Sequence, residues 1–291
     1  MRGGVPVTAE DSRTASPSAG VALRFRPLGA EDIPLVEDFP PPEWHFPFGR
    51  FLELHLGSSY FHPIVGTAGG QIVGVGNAIV NETVAWLGNI IVPPAERGRG
   101  IGSRLTARLI ELAKERGCGT LVLIATTMGE PVYRKLGFVA TGLYRFYRGG
   151  SDAPAPDPRH IRRMRAEDHA AVLALDRVVS GEGRAPLLSR FLATGWVHEQ
   201  EAGGRVDGYY LPDLGSGLVI AANDDAGMSL LRLRLRHAPS LVVVPDENEV
   251  ARKWLVSNGY SETLAAPRMC LGPEVVWKAN HVFSRGAGYC G

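Results

Sequence analysis

The sequence predicts an α+β (α/β sandwich-like) protein with two similar domains, each a mixed, mostly antiparallel sheet flanked by helices. Three apolar segments follow one another between residues 64 and 92, and they are separated by Gly69-Gly70 and Asn81-Glu82, pairs that suit hairpin turns. A glycine-rich turn and a segment with apolar residues at helical spacing come next. Beyond a linker near residue 150, elements of the same kinds begin again, which indicates the second domain.

The composition is that of a soluble globular protein with room for two domains. The chain has 291 residues, of which 45% are hydrophobic and 21% charged. The net charge of +1 argues against a dedicated nucleic-acid surface, and no apolar run reaches the length of a membrane span. Residues 1–20 lack the apolar core of a signal peptide, so we expect a disordered tail on a cytoplasmic protein.

The cysteines predict neither a metal site nor a disulfide framework. Cys118, Cys270 and Cys290 are an odd, sparse set without Cys-x-x-Cys spacing. The sequence therefore predicts no metal, and nothing in it indicates an oligomeric state.

The elements of the first half can be assigned in order. Apolar runs predict strands, and Ala30-Glu31-Asp32 with Pro34 close behind is typical of a helix start. The predicted order is a strand at 21–27, helices at 30–36 and near 51–56, strands at 64–68, 72–80 and 84–92, a helix from 101, a strand at 120–126, a helix at 131–136, and strands at 138–140 and 143–147. The aromatic loop at 39–48 is either a lid over a pocket or a loop packed on the core.

The turn between the third strand and the following helix is the strongest functional signal. Gly98, Gly100 and Gly102 occupy alternate positions, which removes Cβ atoms where another group has to approach the backbone. The free N–H groups of the first helical turn and the helix dipole favour an anion there. Arg97 and Arg99 add positive charge. This chemistry suits a pyrophosphate group.

Three kinds of phosphate-binding loop can be compared with this turn. A nucleoside-triphosphatase loop needs a lysine that is absent here, and in a dinucleotide fingerprint the last glycine would follow one residue later than Gly102. The run from Arg97 to Gly102, Arg-Gly-Arg-Gly-Ile-Gly, resembles the Arg/Gln-x-x-Gly-x-Gly/Ala signature of the GCN5-related N-acetyltransferase (GNAT) superfamily. The predicted order of elements over residues 21–148 is also similar to that of the superfamily.

This resemblance implies an acyltransferase that binds acetyl-coenzyme A through the glycine-rich turn. The backbone of Asn89 to Val92 would separate from the next strand and offer N–H and C=O groups to the pantetheine arm and the thioester. The implied cofactor-binding residues are Ile90, Ile91, Val92, Arg97, Gly98, Arg99, Gly100, Ile101, Gly102 and Ser103.

The resemblance also implies a general acid. Tyr133, followed by Gly137-Phe138, matches the superfamily's Tyr-x-x-x-Gly-Phe segment, whose tyrosine acts near the sulfur of coenzyme A in many members. A phenol with a pKa of about 10 is protonated at neutral pH and can donate to a thiolate. The alternative is a tyrosine that only packs and forms hydrogen bonds.

No general base is marked. Many superfamily members carry a carboxylate where this chain has Gly88, and the amide of Asn89 cannot act as a base. Each of the remaining candidates is more typical of a solvated surface group; they are His45, Glu53, His55 and Glu82. The amine could also arrive neutral or lose its proton through a chain of waters.

The second half resembles the C-terminal domain of tandem acetyltransferases. The resemblance lies at Asp176, at Gly181 to Arg184 and at Arg268-Met269. Where the first half has its glycine-rich turn, this half has Asp224 and Asp225, and two carboxylates at that helix start would repel a pyrophosphate. We therefore expect a degenerate domain that binds no cofactor of its own and helps to wall the acceptor pocket, or one that only stabilises the first.

The sequence thus predicts a tandem GNAT protein. The expected parts are a tail at 1–20, a catalytic domain at 21–148, a linker at 149–158 and a degenerate domain at 159–291. We expect transfer of an acetyl group to a primary amine of a small molecule by direct attack, with Tyr133 as the acid. The alternatives are a non-catalytic acyl-coenzyme A sensor or scaffold and a protein-lysine acetyltransferase. No nucleic-acid or membrane partner is expected.

Overall fold

The computed structural model describes residues 22–150, 159–200, 204–238 and 241–290. The predicted tail and all but the first two residues of the predicted linker lie outside these ranges. Within them, the strands are β1 (Arg24–Pro27), β2 (Phe61–Ala68), β3 (Gln71–Asn81), β4 (Val84–Ile91), β5 (Thr120–Ile124), β6 (Val139–Gly149), β7 (Ile161–Arg163), β8 (Trp196–Glu199), β9 (Val206–Leu211), β10 (Leu218–Ala221), β11 (Val242–Pro245), β12 (Tyr260–Leu271) and β13 (Val282–Ser284).

Helices alternate with these strands in both halves. They are α1 (Ile33–Val36), α2 (Phe48–His55), α3 (Ile101–Glu115), α4 (Glu130–Lys135), α5 (His169–Ser180), α6 (Ala185–Leu188), α7 (Asp224–His237) and α8 (Glu249–Ser257). Five of the second-half elements were not predicted from the sequence: α5, α6, β8, β12 and β13. No helix in the described ranges is long and apolar enough to cross a bilayer.

The strands form two sheets, and the two halves of the chain exchange strands. One sheet has the order β1-β2-β3-β4-β5-β12-β6-β11 and the other the order β13-β10-β9-β8-β7. Strand β12 of the second half lies between β5 and β6 of the first and pairs antiparallel with both. Among the described strand pairs, β4 and β5 run parallel and the others antiparallel. The predicted α+β class with mixed, mostly antiparallel sheets is confirmed.

The prediction of two closing strands at 138–140 and 143–147 was wrong, because these residues form the single strand β6. Arg268 of β12 pairs with Gly142, whereas Met269 pairs with Ala140, so Thr141 is the extra residue of a bulge. The residues that suggested a turn accommodate this bulge. Pairing with β12 on both sides of the bulge holds β6 extended through it.

The two faces of the larger sheet have different coverings. Leu105 and Leu109 of α3 pack with Leu121, Leu123 and Phe138 on one face. A second hydrophobic cluster, on the opposite face, contains Trp86 and Val122 and continues into the second half through residues such as Val172, Leu187 and Ile220. Each such side chain contributes about 1.5–3 kcal/mol when it is fully buried. The second half therefore covers the sheet face that α3 leaves open.

The aromatic loop at 39–48 is packed on this second cluster. Phe39 and Phe46 contact it, and the ring of Phe46 lies 5.3 Å from that of Phe51 in α2. Trp44 is exposed. The structure thus favours the core-packed alternative for most of the loop.

Because the two halves exchange strands, we expect that neither half folds on its own. A fragment of residues 22–150 lacks β12, which leaves β5 and β6 with unpaired edges in the middle of the sheet. We expect this fragment to aggregate or to unfold without a cooperative transition, and co-expression with residues 151–291 to restore a cooperative complex. Circular dichroism during heating measures the transition.

A control distinguishes the effect of cutting the chain from the effect of removing β12. A protease site inserted at 151–158 and cut after folding should leave the two parts associated on a gel-filtration column. A monomeric 22–150 fragment with its own cooperative transition would show instead that the first half folds without β12.

Candidate functional site

The parallel pair β4 and β5 opens into a gap. Val84, Ala85 and Trp86 pair with Thr120 to Val122, and the pairing ends there. Strand β4 nevertheless continues to Ile91. The backbone beyond Trp86 therefore lies beside a space between two neighbouring strands, as expected from the sequence.

A bulge in β4 helps to form this gap. The register with β3 shifts between Val75, which pairs with Ile91, and Asn77, which pairs with Gly88. Within the bulge, Asn89 has a φ of +50°, and its Nδ2 donates a hydrogen bond of 2.8 Å to Oδ1 of Asn77. A non-glycine residue in the left-handed region marks local strain that the surroundings must hold in place. The bulge redirects the peptide groups from residue 89 onwards.

The glycine-rich turn leaves its backbone accessible. Gly98 and Gly100 have φ values of +76° and +72°, and a Cβ atom on either would meet no atom within 4 Å. A Cβ on Gly102 would meet one methyl group of Val92 at 3.7 Å. The amide N–H groups of residues 98–103 donate no hydrogen bond inside the described part of the chain. The turn is thus an open cradle of amide donors at the start of α3.

The two arginines of the turn differ in their partners. Arg99 forms an ion pair with Glu96, and both side chains are partly exposed to solvent. Nε of Arg97 donates to the carbonyl oxygen of Val92 at 3.1 Å, which ties the turn to the end of β4. Surface ion pairs contribute little, about 0–1 kcal/mol, so an incoming phosphate can compete with Glu96 for Arg99.

The residues expected to bind a cofactor lie around one place. Ile91 and Ile101 are buried, while Ile90, Val92, Gly102 and Ser103 are half-buried and residues 97–100 are exposed. Ile90 packs on the cluster beneath α3. Free amides, a helix N-terminus, glycines without Cβ atoms and two cations fit a pyrophosphate group.

Tyr133 lies in α4 on the same face of the sheet as α3. Its half-buried ring packs on the cluster that also contacts Ile90, and it lies 6.1 Å from the ring of Phe138. Gly129 makes room for it, since a Cβ there would lie 2.7 Å from Cε2 of the tyrosine. Desolvation raises the pKa of Tyr133 to about 12. The phenol is therefore a proton donor throughout the neutral range.

Three of the candidate bases are exposed. Glu82 lies in the hairpin before β4, at the opposite end of that strand from the glycine-rich turn, and its carboxylate pairs with Arg177 at 2.8 Å. His45 and Glu53 are exposed as well. At Gly88 a Cβ atom would lie 2.9 Å from Cβ of Tyr289, so the second half occupies the space beside this position.

His55, in contrast, is buried, and its assignment as a solvated surface group was wrong. It is 1% exposed, its Nδ1 shares a 2.9 Å hydrogen bond with the hydroxyl of Tyr60, and its Nε2 has no hydrogen-bond partner in the described structure. Its ring lies 6.0 Å from that of Tyr289. Desolvation, with a smaller effect of the Arg190 charge, lowers the pKa of His55 to about 4. The imidazole is therefore neutral at pH 7.

In the second half, the chain itself fills the place that corresponds to the gap. Strand β13 pairs with β10, and just beyond it the N–H of Arg285 donates to the carbonyl oxygen of Val243 in β11 at 2.7 Å. Phe283 of β13 is fully buried, and Gly227 of α7 leaves room for its ring. Strands β10 and β11 are thus bridged by β13 where β4 and β5 stand apart.

The start of α7 also differs from that of α3. The Asn223 side chain accepts a hydrogen bond of 2.9 Å from the N–H of Ala226, so the helix is capped by its own chain. Asp224 and Asp225 follow directly in the first turn. A capped and negatively charged helix start has little to offer to a phosphate.

The first half of the chain is similar to a known protein family. The family model described as "Acetyltransferase (GNAT) family" matches residues 33–138. The chain is 30% identical over 149 residues to a glucosamine 6-phosphate N-acetyltransferase 1 of Oryza sativa subsp. japonica, covering 90% of that protein and 45% of this chain. It is 42% identical over 60 residues to a probable glucosamine 6-phosphate N-acetyltransferase 2 of the same plant. The second match spans only 36% of that relative and 21% of this chain.

Solved structures resemble the whole chain in fold. A proposed acetyltransferase of Pyrococcus horikoshii superposes with a TM-score of 0.77 at 19% identity, covering 97% of this chain and 100% of that one. A tandem GNAT protein from the clavulanic acid biosynthesis pathway has a TM-score of 0.56 at 16% identity and covers 87% of this chain and 100% of the other. These likenesses show that the two-half fold is shared.

The buried histidine predicts a loss of stability in mild acid. Because its pKa is lower in the folded chain, the unfolded chain binds more protons between about pH 6.5 and pH 4, and stability falls as the pH drops through this window. The full effect of His55 is up to about 3 kcal/mol. The substitution His55→Phe, which keeps an aromatic ring, should flatten this part of the curve.

Urea unfolding of both proteins at pH 7, 5.5 and 4 measures the effect. Some slope should remain, because desolvation also lowers the pKa of His62 to about 4. An unchanged slope in the His55→Phe protein would mean that this imidazole is not held neutral by burial.

Proposed function

Because this chain belongs to the GNAT family and is an N-acyltransferase of that kind, we propose that it transfers an acetyl group from acetyl-coenzyme A to a primary amine of a small molecule. The observation that carries the proposal is the gap beyond Trp86 together with the open cradle at 98–103, which lie at the two ends of one short stretch of backbone. One cofactor binds per chain, in the first half.

The backbone provides most of the cofactor contacts in this proposal. The amides of residues 98–103 and the guanidinium groups of Arg97 and Arg99 hold the pyrophosphate. Peptide groups from Ile90 to Val92, redirected by the bulge at Asn89, lie along the gap and orient the thioester. The bound cofactor supplies an activated acetyl carbonyl and a thiolate leaving group.

Tyr133 acts as the general acid. The amine attacks the carbonyl carbon directly, a C–N bond forms, the C–S bond breaks, and the phenol gives its proton to the departing sulfur. A pKa of about 12 makes a weak acid, so its effect depends on placement near the sulfur. The nitrogen loses one proton as the amide forms, and His55 or water accepts it; that proton finally restores the phenol. An amine that arrives neutral needs no earlier deprotonation.

The relatives suggest which acceptor to test first. Two rice relatives are named for glucosamine 6-phosphate, a small amine with an acidic group. The family model's match ends at residue 138, and the second half covers the sheet face opposite α3. The acceptor therefore meets residues that the match does not include, and amino-sugar phosphates are the first of several candidates.

Gly102 gives the sharpest test of the cradle. Because its φ is not positive and a Cβ has room inside the protein, Gly102→Val should fold normally and obstruct only the approach of phosphates. We expect acetyl-coenzyme A to bind about 10-fold more weakly or worse, which is roughly 1.4 kcal/mol. Isothermal titration calorimetry measures the affinity and should give one site per wild-type chain.

Gly119→Val is the matched control, since a Cβ there meets no atom within 4 Å and Gly119 lies outside the cradle. Equal affinities of the two variants would remove the pyrophosphate assignment. A stoichiometry of two would show that the second half binds cofactor despite β13 and its aspartates.

The Tyr133→Phe substitution tests the acid. It keeps the packing on Phe138 and deletes the proton donor, so turnover should fall by about 10²-fold while cofactor affinity stays near the wild-type value. Steady-state release of coenzyme A measures turnover. Tyr210→Phe, in β9 of the second half, controls for the loss of a phenol. Wild-type turnover in a folded Tyr133→Phe enzyme would rule the acid role out.

A further inference from the structure

A small cavity lies at the contact between the two halves. Its volume is about 20 Å³, enough for about one water molecule. Most of the polar and aromatic residues that line it come from different elements: Trp86, Tyr144, Glu182, Arg184, Arg268 and Trp277. The first half thus contributes aromatic side chains to this space, and the second half contributes the charged groups.

Sheet register places this cavity beside the gap. Trp86 is the last residue of β4 that pairs with β5, and Arg268 pairs with Ile124 at the end of β5. Trp86 belongs to the cluster on the sheet face opposite α3. The cavity therefore lies where the two strands separate, on the face that the first half leaves to the second.

Arg268 is the unusual group in the cavity wall. It is 1% exposed, and it has no carboxylate within ion-pair distance among the described residues. One of its nitrogens, Nη1, donates to the hydroxyl of Thr141 at 2.9 Å, whereas Nε has no hydrogen-bond partner there. Its guanidinium lies 4.8 Å from the ring of Trp277 and 5.7 Å from that of Trp86. A buried cation with an unused donor is costly unless something binds it.

Two of the neighbouring charged groups, Arg184 and Glu182, already have partners, whereas Nε of the buried Arg285, like that of Arg268, has none in the described structure. Arg184 forms a buried ion pair with Asp176. The carboxylate of Glu182 accepts hydrogen bonds of 2.8 Å from Nδ2 of Asn81 and 2.9 Å from Nε1 of Trp86, and burial raises its pKa. With Arg285, whose guanidinium lies 5.4 Å from the ring of Tyr144, this region buries three guanidinium groups and two carboxylates. Even with both carboxylates ionised, one positive charge is in excess.

Trp277 separates the cavity from an outer groove. We call the segment 272–278 the strap, and hydrogen bonds hold it at both ends. Thr120 Oγ1 donates to the carbonyl oxygen of Pro273 at 2.6 Å, and the N–H of Lys278 donates to the carbonyl oxygen of Val179 at 2.7 Å. Between these points, Val276 is 88% exposed. Trp277 lines both the cavity and a groove of about 660 Å³.

We propose that this cavity is the closed form of the acceptor subsite, and that Arg268 binds an acidic group, a carboxylate or phosphate, on the amine that is acetylated. The inference rests on the proposed function and names its acceptor class. A guanidinium can offer parallel N–H donors to a carboxylate or phosphate, and such charge-assisted pairs are strong when they are shielded from water. Trp277 moves aside to admit the acceptor from the groove.

Acceptors that differ only in the acidic group test the proposal with the whole enzyme. The pairs are glucosamine 6-phosphate with glucosamine for a phosphate, and glycine with glycinamide for a carboxylate. We expect the acidic member of at least one pair to have a kcat/KM about 10-fold higher or more. Which pair shows the preference distinguishes phosphate from carboxylate.

Substitution of Arg268 identifies the group responsible. Arg268→Gln should lower kcat/KM for the acidic member about 10-fold, mainly through KM, and leave the neutral member within about twofold. The ratio within one variant is independent of its folded fraction. Arg268→Lys keeps the charge and should recover part of the preference. Arg163→Gln is the matched control, because Arg163 also lies over a tryptophan, 4.1 Å from the ring centroid of Trp196, outside the cavity.

Equal kcat/KM values within both pairs would overturn the inference, and so would a preference that persists in Arg268→Gln. A chain that releases coenzyme A from acetyl-coenzyme A with none of these amines and with no other primary amine of a broad panel would instead contradict the proposed function. Calorimetry with glucosamine 6-phosphate and with glycine then decides the inference without turnover. Binding that is lost in Arg268→Gln supports the subsite, and absence of binding to the wild type refutes it.

Discussion

Strand β12 pairs with β5 on one side and with β6 on the other, and this pairing shapes the rest of the molecule. It makes one continuous eight-stranded sheet from both halves of the chain. It also places Arg268 next to the end of β5 and brings the strap across the sheet directly after Leu271. Because the interior of a sheet requires every strand to be paired, neither half completes the structure alone. The candidate acceptor cavity exists only because of this exchange.

The gap between β4 and β5 is open in the first half, whereas the corresponding space between β10 and β11 in the second half is filled. In the first half, the bulge at Asn89 and the end of pairing at Trp86 leave peptide groups beside an open space. In the second half, β13 bridges β10 and β11. The helix starts differ in the same sense, since α3 begins with free amides and cations, and α7 begins with an asparagine cap and two aspartates. Geometry and charge agree that the first half suits an anion better than the second half does.

The contact between the halves contains several buried charges, and burying charges contributes unfavourably to the free energy of folding. Desolvation of an ion costs several kcal/mol, and even a well-formed buried ion pair such as Arg184–Asp176 adds little net stability. Apolar side chains would pack the same space at lower cost. The polar lining is therefore better explained by binding than by stability, and Arg268 lacks the carboxylate partner that Arg184 has.

The sequence by itself determined the local elements and those candidate site residues that lie in the first half of the chain. The β-meander, the glycine-rich turn, α3 and α4 could be predicted because hydrophobic period, turn residues and glycine positions act over a few residues. The turn at 98–103 and the position of Tyr133 in α4 follow from such short-range rules. The aspartates at 224–225 could likewise be identified as unfavourable to phosphates.

Only the tertiary structure decided which strands are neighbours and which side chains meet across the halves. No local sequence pattern shows whether β6 pairs with a strand of its own half or with β12. The residues around Thr141 therefore resembled a turn, although they form a bulge. The burial of His55 depends on rings from distant segments, among them Tyr289. Glu182 and Arg268, nearly 90 positions apart in the chain, line one cavity with Trp86 because the exchange of strands brings them together. Pairing over long sequence distances is set by the packing of whole sheet faces, which no short segment encodes.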